Sequence, residues 1–109
     1  MGTFVITKKT EAKFQVQLKS KTGKVLLCSQ EYSSKISCKK AIEKFRAYAQ
    51  DKNSFQKRTT VQWELYFYLK TAQGKPIATS INYNTYLARE KAINTVKKIA
   101  PIAAVEDHC

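Results

Sequence analysis

Residues Phe14 to Ile42 occur twice. Shifted by 51 positions, FQVQLKSKTGKVLLCSQEYSSKISCKKAI lies without a gap on LYFYLKTAQGKPIATSINYNTYLAREKAI, which runs from Leu65 to Ile93. Leu18, Lys19, Gly23, Lys24, Ser29, Tyr32, Lys40, Ala41 and Ile42 meet Leu69, Lys70, Gly74, Lys75, Ser80, Tyr83, Lys91, Ala92 and Ile93. Outside this window Phe4 meets Phe55, and Ala49 meets Ala100. A fixed period with identities at turn and core positions is the mark of an internal structural repeat. The full 109 residues make one ordinary domain. Each unit of about fifty residues stands near the lower limit for folding alone, so the halves are expected to share one core. The boundaries read as residues 3–54 for the first repeat and 55–107 for the second.

Within each repeat the hydrophobic period changes from two to about 3.6. Thr3 to Lys8 reads as a strand, with Phe4 and Ile6 on one face and Val5 and Thr7 on the other. Phe14, Val16 and Leu18 alternate with Gln15, Gln17 and Lys19 in a second strand. Lys21-Thr22-Gly23-Lys24 forms the hairpin turn, where Gly23 supplies a positive φ, and Val25 to Ser29 is the third strand. Cys38, Ala41, Ile42, Phe45 and Ala49 then recur at helical spacing behind an N-cap at Ser33 or Ser34. Asp51 to Ser54 is a short link, so the repeats pack as neighbours. In the second half, Phe55 to Thr59 and Trp63 to Lys70 are the first two strands, and Gln73-Gly74 is the turn. Pro76 to Ile81 is the third strand, with Pro76 marking a strand start or an edge. Asn84 or Thr85 caps a helix that buries Ala88, Ala92, Ile93, Val96 and Ala100 and closes at Pro101. Ile102 to Glu106 is a last short strand.

Alternating strands leave one sheet face in solvent, so both helices belong on the same side. A pseudo-twofold axis perpendicular to the sheet satisfies this and joins the two halves into one antiparallel α+β domain.

The pattern of strand, strand, LK-x-x-x-GK turn, strand ending in S-x-x-Y, and helix with K-A-I resembles the YegP-like family of small bacterial proteins. Leu18-Lys19, Gly23-Lys24, Ser29 and Tyr32 carry the resemblance with their partners Leu69-Lys70, Gly74-Lys75, Ser80 and Tyr83. It implies a β3-α-β unit used twice, in which the strands after the helices, Phe55 to Thr59 and Ile102 to Glu106, are exchanged between halves. Thr10-Glu11-Ala12 departs from the family's turn composition between the first two strands. The resemblance implies no activity.

Twenty Lys and Arg against eight Asp and Glu give a formal charge of +12. A field of that sign attracts polyanions, and nucleic acid is the expected partner. The three cysteines form no C-x-x-C pair, and Cys28 and Cys38 are replaced by Thr79 and Arg89 in the second repeat, so no disulfide framework is expected. No apolar run approaches the roughly 18 residues that span a bilayer, so no membrane partner is expected. MGTFVITKK does not read as a signal peptide, and Ile6 stands where a myristoylation motif takes Ser or Thr. The expected state is a cytoplasmic monomer, because the tandem chain supplies its own second half.

Catalysis is not expected. His108 beside Cys109 is too few ligands for a metal, and no P-loop, dinucleotide fingerprint or H-E-x-x-H occurs, so neither metal nor cofactor is expected. Glu43 reads as a helical charge partner of Lys39 and Arg46, and Glu90 as a first-turn residue that suits the helix dipole. Cys38 belongs to the core stripe. Two binding surfaces remain. Lys35, Lys39, Lys40, Lys44 and Arg46 on the first helix, with Arg89, Lys91, Lys97 and Lys98 on the second, would track phosphates from one side of the molecule. On the open sheet face, Tyr66 and Tyr68 with Lys19 and Lys70 would stack bases or dock another protein. Protein interaction through that face or through a sheet edge is the alternative function.

Overall fold

The computed structural model describes residues 2–108. Strands β1 (Thr3–Thr10), β2 (Lys13–Lys19) and β3 (Val25–Tyr32) lead into helix α1 (Lys35–Tyr48). A single 3-10 turn, Lys52–Ser54, connects to β4 (Phe55–Thr59), β5 (Leu65–Lys70), β6 (Pro76–Thr79), α2 (Tyr86–Ile99) and β7 (Ala104–Asp107). The strands form one seven-stranded sheet in the order β4-β5-β6-β3-β2-β1-β7. At its centre β3 and β6 run antiparallel with Cys28 opposite Thr79. These two residues are repeat partners, so the pseudo-twofold axis passes between them.

Each half builds its hairpin identically. The Ser20 N–H donates to the Lys24 carbonyl and the Gly23 N–H to the Ser20 carbonyl, both at 2.9 Å, and Thr71, Lys75 and Gly74 repeat both bonds at 2.9 Å. Gly23 and Gly74 sit at φ 87° and 88°, which only glycine adopts without strain. β3 and β6 lead off from these turns, and Pro76 begins a central strand rather than an edge. Ser34 and Thr85, also repeat partners, cap the helices by accepting from the Ser37 and Ala88 N–H groups.

One continuous core lies between the sheet and the helices. Phe4, Ile6, Val16, Leu18, Ile42 and Phe45 from the first half join Phe67, Leu69, Ile93 and Val96 from the second. Cys38 is fully buried in it.

Strand ends differ from the sequence reading, since β3 runs on to Tyr32, β5 begins at Leu65 and leaves Trp63 in the preceding turn, and β6 stops at Thr79. Three further details also differ. The sheet is antiparallel across six strands, but β7 joins β1 in parallel, pairing Phe4 with Val105. β7 reaches its partner through a helix, and a crossover of that kind permits a parallel pair where a hairpin does not. Second, β7 starts at Ala104, because Ile102 remains in the turn after α2. Third, β1 extends to Thr10 with a register shift between Lys8 and Thr10, leaving Glu11 and Ala12 as the loop. β4 pairs with β5 as β1 pairs with β2, and β7, which follows α2, pairs with β1 of the first repeat.

Candidate functional site

The basic residues of the two helices separate into three environments. Lys39, Lys40 and Lys44 on α1 and Lys91 and Lys98 on α2 are exposed. None forms an ion pair among the described residues. Lys35 is held 3.1 Å from Asp107 on β7. Lys97 stands over the Phe55 ring at 5.7 Å from the centroid, mirroring its repeat partner Arg46 over Phe4 at 5.3 Å.

The two arginines do not join a phosphate-tracking face. Arg46 donates from Nη1 to the carbonyls of Ala100 and Pro101 at 3.2 and 3.1 Å, and from Nε to Glu43 at 3.1 Å. It thereby ties α1 to the orphan carbonyls at the C-terminus of α2. Arg89 is only 7% exposed, and its Nη1 donates to the Arg58 carbonyl at 3.2 Å. The physical reason is spacing: Arg89, Ala92, Ile93 and Val96 share the inward stripe of α2. Arg89 is also the repeat partner of buried Cys38, a signal already present in the repeat alignment. Nor do the lysines form one face. Lys39 flanks the β7 side of α1 in a cleft with Asp107, whereas Lys40 and Lys44 flank the side toward the second repeat's hairpin. Glu90 lies beyond the first turn of α2, where it pairs with Lys57 of β4.

On the sheet face, neighbouring residues of one row run Gln56, Tyr68, Thr79, Cys28, Gln17, Val5 and Glu106 across all seven strands. Tyr66 and Tyr68 are half-buried at one end of that face, with Lys70 donating to Gln56 at 3.1 Å. Lys19 lies on β2, which β6 and β3 separate from the tyrosines on β5. The structure therefore groups Tyr66, Tyr68 and Lys70 and leaves Lys19 apart.

Among the described residues no three His, Cys, Asp or Glu side chains cluster to hold a metal ion. His108 contacts Glu106 at 2.9 Å, and Cys109 lies outside the described residues. No helix is long and apolar enough to cross a membrane. The residues that the sequence reading missed are Lys24, Lys75, Tyr32 and Tyr83. They stand with Lys91 and Lys40 in two clefts beside the helices. Their identity between repeats is the available signal, but position in the sequence places Lys24 and Lys75 only beside the turn glycines.

The family model described as "Domain of unknown function (DUF1508)" matches residues 10–55 and again residues 63–107. The UPF0339 protein YegP of Escherichia coli O157:H7 is 32% identical over 107 residues, covering 98% of this chain and 97% of that one. A UPF0339 protein of Stutzerimonas stutzeri, described as lying in the ptx operon 5′ region, is 30% identical over 95% of this chain and 94% of its own. The solution NMR structure of yegP from E. coli superposes with a TM-score of 0.90 at 32% identity, covering 98% of this chain and 92% of that one. That of a UPF0339 protein from Shewanella oneidensis also gives 0.90, at 26% identity over 97% of this chain and 90% of the other. With both repeats matched and the fold shared along nearly its whole length, the chain belongs to the DUF1508 family, in tandem-repeat form.

Proposed function

We propose that the protein binds an anionic polymer, nucleic acid, through phosphate contacts of low sequence specificity and without catalysis. One observation carries this reading: six of the eight acidic side chains contact a basic one, whereas five helix lysines have no ion pair among the described residues. Glu11, Glu31, Glu43, Glu90 and Asp107 pair with Lys8, Lys13, Arg46, Lys57 and Lys35, and Glu106 contacts His108. Lys39, Lys40, Lys44, Lys91 and Lys98 are left as exposed charges on the helix layer. Lysine is a compact, strongly hydrated point charge, suited to phosphate attraction rather than to planar base readout.

A salt-titrated binding assay with single-stranded and duplex DNA and RNA tests the reading. Five phosphate contacts predict a loss of affinity of at least about a hundredfold over a fourfold rise in salt. Replacing Lys39 and Lys40 together by Glu should weaken binding to every sequence. Affinity unchanged by salt, or binding absent at physiological salt, would overturn it. A second reading, protein interaction, is favoured by one observation. β4 ends the sheet, its outer edge pairing with no strand among the described residues, beside Val61 and Trp63, which are 89% and 83% exposed.

A further inference from the structure

The nine identities of the repeat window divide by role. Leu18, Ile42 and their partners fill the core, Gly23 and Gly74 turn the hairpins, and Ser29 and Ser80 bond the neighbouring strand. Ala41, Ala92 and Tyr83 also belong to the core, Tyr32 packs against it, and Lys19 and Lys70 end strands β2 and β5; Lys24, Lys40, Lys75 and Lys91 have no comparable place in the fold. They converge on two clefts related by the pseudo-twofold axis.

The first cleft, of about 310 Å³, is lined by Tyr32, Ser37, Lys40 and Lys44 of one half and by Thr71 and Lys75 from the hairpin of the other. The second, of about 300 Å³, is lined by Tyr83, Lys91 and Thr95 and by Ser20 and Lys24 from the opposite hairpin. A shift of 51 positions relates the two sets, with Lys44 replaced by Thr95, Ser37 by Ala88 and Thr71 by Ser20. Among the described residues no acidic side chain lines either cleft. Each site requires both repeats, since the helix and tyrosine come from one and the hairpin lysine from the other.

Tyr83 supplies an independent sign of a ligand. It is 7% exposed, and its Oη is buried without a hydrogen-bond partner among the described residues. In the first cleft the Gln30 side chain bonds Tyr32, but Ile81 occupies the matching position in the second. A buried hydroxyl left without an acceptor is costly, and an anionic oxygen in the cleft would relieve it. Burial also holds both phenols above their ordinary pKa, so each keeps a proton to donate. Lys24 lies over the Tyr83 ring, 5.9 Å from its centroid, within reach of the same anion.

We infer that each cleft seats one phosphoryl group, held by a hairpin lysine, a helix lysine and a tyrosine hydroxyl. The first cleft, with three lysines against two, is the tighter. This deepens the polymer-binding reading and rests on it where the phosphates belong to a nucleic-acid strand; a small phosphorylated molecule offers the same group.

The test is an NMR titration of the full chain with inorganic phosphate and, separately, with a short single-stranded oligonucleotide. Phosphate should shift Lys24, Tyr83 and Lys91 together, and Tyr32, Lys40 and Lys75 together, with saturation. Lys75→Gln should weaken the first cleft roughly tenfold and spare the second, and Tyr83→Phe should do the reverse. Lys98→Gln, outside both clefts, should change neither. Non-saturating shifts, or saturation indifferent to Lys75→Gln and Tyr83→Phe, would overturn the inference. The oligonucleotide separates it from the broader reading. Strand binding that survives Lys24→Gln with Lys75→Gln but falls on Lys39→Glu with Lys98→Glu sinks the clefts alone. Phosphate seated in the clefts without strand binding supports them and removes the polymer.

Discussion

Tyr83 shows how one repeat substitution changes a residue's chemistry. Its ring stacks on Phe67 at 6.4 Å while its buried hydroxyl has no hydrogen-bond partner among the described residues, and Ile81 stands where the first repeat has Gln30. Because the buried hydroxyl has no partner, Tyr83→Phe should leave the unfolding free energy unchanged or up to about 1 kcal/mol higher at neutral pH. A urea melt in phosphate-free buffer checks this; a loss beyond about 1 kcal/mol would mean that the hydroxyl has an acceptor. Burial raises the folded-state pKa above the unfolded phenol value, so the unfolded chain ionises first. The tyrosine's contribution is therefore complete below about pH 10 and is lost as pH climbs through the raised value. Lys24 and Lys91 line the same cleft, so the comparison must be between wild type and Tyr83→Phe. The wild type should lose more stability on going to alkaline pH. Arg89 teaches the complementary point. Its helical phase marked it as inward, but its charge marked it as exposed, and phase decided because the Arg58 carbonyl meets the guanidinium.

At the level of the elements, the strand β3 carries an irregularity that alternation alone does not reveal. Pairing with β2 slips between Gln15 and Gln17, and Ser29 fills the break: the Val16 N–H donates to its Oγ at 2.9 Å, and the Oγ donates to the Gln30 carbonyl at 2.7 Å. Ser80 repeats the device with Phe67 and Ile81 at 3.0 and 2.8 Å. Ser29→Ala leaves a buried Val16 N–H unpaired and should cost about 1–3 kcal/mol in chemical denaturation. Ser80→Ala should cost less, because Ser80 is more exposed than Ser29 at 5%. Equal, negligible losses would show that water or another strand group replaces the serines. Hairpins, helix stripes and caps were legible because each is a local rule written in adjacent residues. The serine identity was visible in the repeat, but its purpose was not, since it depends on which backbone group lies across the sheet.

For the molecule as a whole, the two repeats share one core and should unfold as one cooperative unit. Their core residues form a single cluster, α1 is tied to the end of α2 through Arg46, and β7 from the second half covers β1 of the first. Residues 1–54 and 55–109, expressed separately, should each lack a cooperative melting transition as monomers. Mixing them in equal amounts should restore the far-ultraviolet circular dichroism of the full chain. A first half that melts cooperatively as a monomer would refute this. Charge is distributed at the same scale: Glu31 of β3, Glu43 of α1, Glu90 of α2 and Asp107 of β7 are paired, leaving Lys39, Lys40, Lys44, Lys91 and Lys98 exposed on the helices.

The sequence by itself determined the repeat, the order of strands and helices, the turn glycines, the burial stripes and the excess of positive charge. All of these follow from local spacing or from simple sums. Only the tertiary structure decided the parallel docking of β7, the internal use of Arg46 and Arg89, and the split of the lysines between separate surfaces. It alone brought Lys75 to Tyr32 and Lys24 to Tyr83. Those meetings join residues far apart in the chain, and a twofold axis between repeats, rather than any local pattern, sets which hairpin faces which helix.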